Sequence, residues 1–208
     1  MTKAERLQKQ KELLKQMSAH ETALRAAGKK YIAGVDEVGR GPLAGPVVTA
    51  AVILPEDFSV LGVNDSKKLS PKQRDSLFDQ IREAAVCYAF GWRWPDRIDE
   101  INILEATKEA MLEAVNSLSV KPDHVLIDAV RLNALDIPQT SIIHGDATSV
   151  SIAAASILAK VTRDRYMVEM DQKYPGYAFA SNKGYGTKAH YEGLALLGPC
   201  PIHRKTFL

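Results

Sequence analysis

Residues 31–38, YIAGVDEV, alternate as a β-strand does, yet they carry Asp36 and Glu37 directly after Ile-Ala-Gly-Val. A carboxylate inside an apolar strand is costly to bury unless a partner or a cation meets it. The fold therefore has to deliver one to this strand end. Strict alternation sends adjacent side chains to opposite faces. Both acids reach one site only if the strand ends or bulges at Gly39.

Two more acids sit at comparable places. Asp128 ends the apolar part of HVLIDAV, and Asp146 lies in SIIHGDAT just ahead of a long helix. In α/β sheets, functional sites gather at the ends of neighbouring strands. Carboxylates converging there suit Mg²⁺ or Mn²⁺, hard cations with oxygen ligands. Two such ions about 4 Å apart can activate a water and stabilise a leaving oxygen. Simpler roles stay open at this point: Asp146 as an acid at a helix N-terminus, Asp128 as a strand-end turn residue. Asp164 is a weaker candidate, because five helical turns, roughly 27 Å, separate it from Asp146. A surface ion pair is expected for it.

The remaining chain reads as alternating elements. Strands are expected over 31–38, 46–55, 86–94, 125–129 and 141–144. Helices are expected over 3–27, 71–85, 96–118 (in one piece or two), 149–173 and 187–197. Ser70-Pro71 is a helix start, with serine at the cap and proline at the first helical position. The sum is an α/β plan with a mixed sheet of about five strands. At 208 residues, with 46% hydrophobic and 25% charged residues, the chain is long enough for one ordinary globular core. The division expected is a basic amphipathic helical extension over 1–29 and a catalytic domain over 30–208, with a C-terminal helical segment for substrate.

Charge is segregated along the chain. Residues 1–30 hold eight Lys/Arg against three Glu, and residues 181–208 hold four against one. The middle is acidic, so a whole-chain net charge of +2 hides basic ends around an acidic centre. A polyanion at the ends and cations in the middle would account for it, as would solvated helix faces. Two cysteines cannot make a disulfide framework. Cys200, His203 and His190 only faintly suggest zinc, since a tetrahedral set is incomplete. The N-terminus is too polar for a signal peptide and no apolar run spans a bilayer, so a cytoplasmic, non-membrane protein is expected.

Several loops carry candidate binding groups. Gly39-Arg40-Gly41-Pro42-Leu43-Ala44-Gly45 fails as a dinucleotide loop, because the third glycine is one position late and a strand follows. Glycines beside the acidic pair would still let backbone approach a ligand. Asn64-Asp65-Ser66-Lys67-Lys68 and Asn182-Lys183-Gly184-Tyr185-Gly186-Thr187-Lys188 have the composition of a phosphate-gripping, sugar-stacking surface.

These segments, taken in order, resemble bacterial ribonuclease HII, the type 2 ribonuclease H: YIAGVDEVGRGPLAGPVVTAAV, NDSKKLS, LIDA, HGDATSVSIAAASILAKVTRDR and NKGYGTKAHYEGL…GPCPIHRKTF. The resemblance runs from about Tyr31 to Phe207. It implies a ribonuclease H-like fold and endonucleolytic cleavage of RNA in RNA–DNA hybrids, including single ribonucleotides embedded in duplex DNA. It implies Asp36, Glu37, Asp128 and Asp146 as the catalytic carboxylates holding Mn²⁺ or Mg²⁺, with 5′-phosphate and 3′-hydroxyl products. Gly39, Arg40 and Gly41 would read the ribose 2′-hydroxyl, the group that distinguishes RNA from DNA. Tyr185 would stack on a deoxyribose beyond the RNA–DNA junction, and Ser66, Lys67 and Lys183 would contact phosphates. A monomer is expected. The alternatives are a ribonuclease HIII-like hybrid nuclease, whose family usually has a sizeable N-terminal substrate-binding domain, and a non-catalytic hybrid-binding module.

Overall fold

The computed structural model describes residues 2–208. Five strands, β1 (Ile32–Val38), β2 (Val47–Ile53), β3 (Cys87–Arg93), β4 (His124–Asp128) and β5 (Gln139–Ile142), form one mixed sheet in the order β3-β2-β1-β4-β5. β2 pairs antiparallel with β1 and β3, while β4 pairs parallel with β1 and β5. The helices among the described residues are α1 (Lys3–Met17), α2 (Ala19–Ala26), α3 (Pro71–Ala84), α4 (Pro95–Ile101), α5 (Ile103–Asn116), α6 (Gly145–Thr148), α7 (Val150–Lys173), α8 (Phe179–Asn182) and α9 (Lys188–Leu197). None is long and apolar enough to cross a membrane.

Strand alternation sorts the apolar residues onto two faces. Ala50 and Val52 bury against Ala153, Ala154, Ile157 and Leu158 of α7, with α3 packed outside through Leu77, Phe78 and Ile81. Ala33, Val35, Ala51 and Ile53 point the other way, against Met111, Ala114 and Val115 of α5. Two glycines let the helices touch the sheet directly. A Cβ on Gly34 would stand 2.1 Å from the carbonyl carbon of Ser151, and one on Gly91 would stand 1.9 Å from the Ala110 oxygen. The alanine- and serine-rich first half of α7 is the counterpart of this contact, since larger side chains would hold the helix off β1.

Departures from the expected elements have local causes. The single helix expected over 3–27 is two, because Ser18 leaves helical geometry while its hydroxyl donates to the Leu14 carbonyl at 2.8 Å. The break turns Met17 and Glu21 inward, and both are buried. The helical stretch after β3 takes the two-piece form already expected, dividing at Asn102, whose φ is +70° and whose side chain caps α5 through the Leu104 and Glu105 amides. The last strand lies over Gln139–Ile142 rather than 141–144, because His144 adopts left-handed geometry to open α6. Ser149 and Thr187, expected inside helices, cap α7 and α9 instead.

Candidate active site

Register brings the acids together. The last paired rung of β1 and β4 is Val35 with Ile127, so Asp36 and Asp128 are the next residues on adjacent parallel strands. β4 stops there because Ala129 turns to a φ of +48°. Beyond β5, Gly145 at the start of α6 donates its N–H to Asp128 Oδ1 at 2.7 Å, which sets Asp146 beside Asp128. A Cβ on Gly145 would stand 3.4 Å from Asp128 Oδ1 and 2.5 Å from Ile152 Cδ1, the end of a side chain that would have to turn aside. β1 stays paired with β2 through Val38, one residue past both acids, and Gly39 then turns the chain at φ +93°.

The crowding sets the direction in which these carboxyls titrate. Burial pushes the Asp36 carboxyl well above the usual carboxylate range, and the neighbouring Glu37 and Asp128 charges push it further. The Glu37 N–H at 2.8 Å and the Ser156 hydroxyl of α7 oppose this. Glu37 is likewise raised by burial and by Asp128, against the pull of Arg40, whose Nη1 lies 3.5 Å from Oε1. Asp128 is raised by burial and by Asp146. Lys67 lays its ammonium 3.2 Å from Asp146 Oδ2 across the mouth of the cleft.

A divalent cation fits these groups. Glu37 Oε2 is buried and accepts no hydrogen bond, and an oxygen in that state is a waiting acceptor. All the donors are hard carboxylate oxygens, and a cation among them would relieve the repulsion that raises Asp36 and Asp128. Among the described residues no three His, Cys, Asp or Glu side chains close into a finished metal cage. Asp36 and Asp146 are buried, while Glu37 and Asp128 stay partly exposed where their strands end.

Beside this cleft, the loop between β1 and β2 hangs from two buried arginines without carboxylate partners. Arg204 donates to the carbonyls of Gly39, Arg40 and Gly45. Arg163 donates to Pro46 at 2.9 Å, Ala44 at 3.0 Å and Lys183 at 2.9 Å. Burial pulls Arg163 down to about 10 and Arg204 down to about 9. A guanidinium has only donors, so it draws loop carbonyls inward. The second loop is tied to the first where the Leu43 N–H donates to the Gly184 carbonyl at 2.8 Å.

Tyr185 is 43% exposed, and its ring stands beside Gly41, where a Cβ would lie 3.6 Å from Cε1. Arg40 and Lys67 thus reach the acids, at Glu37 and Asp146, while Tyr185 stands beside Gly41 in the loop that follows β1. Ser66 differs from expectation. It is buried, and its hydroxyl bonds the Ser156 hydroxyl at 2.8 Å, so it supports the Asp36 wall from within. Lys183 folds back onto the Ala180 carbonyl. Asp164 pairs with Lys160 at 2.8 Å, four residues along α7 and partly buried rather than on the surface. His190 and His203 spend their Nε2 atoms on each other at 2.9 Å, and Cys200 meets His203 through its backbone.

Sequence reasoning passed over Ser156, Arg163 and Arg204. A signal existed for the first two. They lie seven residues apart in α7, two turns on the same face, and that face includes the stretch against β1. Arg204 carries no such mark, because only the return of the C-terminus beneath the loop, where Ala44 bridges His203, gives it a role.

A mixed sheet of this order, with acids at the ends of its adjoining central strands, defines a nuclease of the ribonuclease H-like class. Residues 33–208 match the ribonuclease HII family, and the chain belongs to it. It is 60% identical over 194 residues to the ribonuclease HII of Listeria monocytogenes, covering 93% of this chain and 74% of that protein. Among solved structures it is similar to the ribonuclease H2 of Pyrococcus horikoshii, with 33% identity and a TM-score of 0.70 over 85% of this chain and 93% of that one. It is also similar to the Archaeoglobus fulgidus ribonuclease HII solved with PCNA, at 26% identity and a TM-score of 0.71 over 86% and 95% of the two chains. The protein is a ribonuclease H hydrolase.

Proposed function

We propose that this enzyme hydrolyses the RNA strand of RNA–DNA hybrids and cuts on the 5′ side of single ribonucleotides embedded in duplex DNA. It leaves 5′-phosphate and 3′-hydroxyl ends and serves ribonucleotide and RNA-primer removal in the cytoplasm, as a monomer. The observation that carries the reading is the set of buried, mutually repelling carboxylates around Asp36, with an unpartnered Glu37 oxygen. Asp36, Glu37, Asp128 and Asp146 would hold Mn²⁺ or Mg²⁺. When bound, such ions supply an activated water and a stabilised leaving oxygen.

The chain's own groups orient the substrate. Drawing the carbonyls of Gly39, Arg40 and Gly45 onto Arg204 leaves the opposite edge of the loop for a ribose 2′-hydroxyl. The half-exposed Tyr185 ring supplies a stacking face for the deoxyribose past the junction. Lys67 and Lys183 would contact phosphates by exchanging their present partners, Asp146 and the Ala180 carbonyl, for phosphate oxygens. Ser66 acts there through its backbone turn, its hydroxyl being engaged with Ser156. Residues 1–29 form a helical extension to the catalytic domain of residues 30–208.

The test is a duplex carrying one ribonucleotide. Cleavage 5′ to it with Mn²⁺ or Mg²⁺, abolished by EDTA, is the expected result. Cutting of long hybrids alone would favour a ribonuclease HIII-like activity, and binding without cutting a hybrid-binding module.

A further inference from the structure

Glu21 lies in α2, outside the part of the chain that matches the family, and only 1% of it is exposed. Its carboxylate is driven into the junction between α6 and α7. Oε1 accepts from the Ser149 hydroxyl at 2.6 Å and from the Ser151 N–H at 3.0 Å. Ser149 is the residue on which that junction turns. Its N–H closes α6 onto the Gly145 carbonyl at 2.8 Å, and its hydroxyl caps α7 through the Ile152 N–H at 3.3 Å. Gly145 in turn holds Asp128, and Asp146 is its neighbour. α1 packs against α6 from the same side.

The other half of the carboxylate has no counterpart. Glu21 Oε2 and the Ser151 hydroxyl are both buried without a partner. For packing alone, an apolar side chain would fill this space with fewer unmet groups. An acceptor that caps the first turn of a long helix does something an apolar residue does not: it fixes where that turn sits through directed hydrogen bonds. That turn is also pressed onto β1, because Gly34 leaves no gap beneath Ser151 and lies two residues from Asp36. The α6–α7 junction is therefore clamped between Glu21 on one side and the acid-bearing strand on the other.

We propose that Glu21 is a positioning residue for the carboxylate site, fixing the α6–α7 junction so that Asp146 is held against Asp128 and Asp36. The inference rests on the reading of these acids as cation ligands. It gives the N-terminal helices a part in metal binding.

The test uses the full chain and Mn²⁺ alone, with affinity measured by calorimetry and unfolding followed separately. Glu21→Ala should weaken Mn²⁺ binding about tenfold, the lower end of what support of metal ligands contributes. Glu21→Gln keeps an acceptor for Ser149 and Ser151 and should stay within about threefold of the parent protein. In an Asp146→Asn background the Glu21→Ala effect on Mn²⁺ should shrink to less than about twofold, because the two act through one path. Ser149→Ala removes the same clamp from the other side and should weaken Mn²⁺ binding too, which keeps the test open if Glu21→Ala does not fold. A folded Glu21→Ala or Ser149→Ala protein that unfolds more easily but binds Mn²⁺ as the parent does would overturn the proposal. Unchanged Mn²⁺ affinity in Asp146→Asn itself would instead strike down the reading of the site.

Discussion

Replacing Asp36 by Asn removes one charge from the most crowded point of the cleft, and the metal-free protein should become more stable as its activity disappears. Asp36 is buried, and burial with the Glu37 and Asp128 charges raises its pKa well above the ordinary 3.8. A raised carboxyl means that the native state holds the proton more tightly than the unfolded chain. Stability from that proton is complete below the unfolded pKa and is lost as the pH climbs through the folded one. At neutral pH, above the unfolded pKa, this carboxyl therefore costs the native state stability.

Side chains on neighbouring strands stand roughly 5 Å apart. At an effective dielectric near 20, two like charges at that distance repel by about 3 kcal/mol. The Asn oxygen can still accept from the Glu37 N–H, so the weakened hydrogen bond subtracts only about 1 kcal/mol. The balance is a gain of about 2 kcal/mol, or roughly 4–8 °C in Tm for a chain of this size. Thermal unfolding in EDTA measures it, and the advantage of the variant should vanish as the pH falls toward 3.8. Mn²⁺ should reverse the order, since a ligand at a hundred times its Kd adds about 2.7 kcal/mol to the parent protein alone. A variant that is less stable than the parent in EDTA at neutral pH would refute the reasoning, and so would substantial residual cleavage.

Two further variants probe the walls of the cleft. Arg204→Met keeps the apolar stem but orphans the carbonyls of Gly39, Arg40 and Gly45, and should lower stability by about 3–5 kcal/mol. At temperatures where it remains folded, its KM for a ribonucleotide-containing duplex should rise; denaturant unfolding with steady-state kinetics reads both, and unchanged KM would deny the loop its substrate role. Tyr185→Ala removes a 43% exposed ring, so stability should change by no more than about 0.5 kcal/mol. Cleavage at a single embedded ribonucleotide should meanwhile drop by about tenfold or more, on the scale of one lost base–aromatic stack. Equal losses of stability and activity would make Tyr185 a packing residue.

Much of this protein is written in local pattern. Strand period, the Ser70-Pro71 helix start and the glycine turn after Val38 are properties of a few consecutive residues, so the five strands and the main helices could be located from them. Four acids at or near strand ends were legible for the same reason. Their meeting was not. It depends on β4 crossing the chain to lie parallel to β1, which aligns Asp36 with Asp128 across 92 positions of sequence separation. Sequence order does not encode that adjacency.

The roles of buried polar groups were equally hidden. Ser66 sits in a loop whose composition suggests exposure, yet the proximity of Ser156 on α7 turns its hydroxyl inward. Arg163, Arg204 and Glu21 look like ordinary surface charges, because charged residues are seldom buried unless something meets them. Partners for each arrive only from distant segments: the carbonyls of the 39–46 loop for the arginines and the first turn of α7 for Glu21. The sequence by itself determined the elements, the acids and the family. Tertiary structure decided which charges face the cleft and which are spent beneath it, since a side chain's environment is set by contacts that local periodicity does not carry.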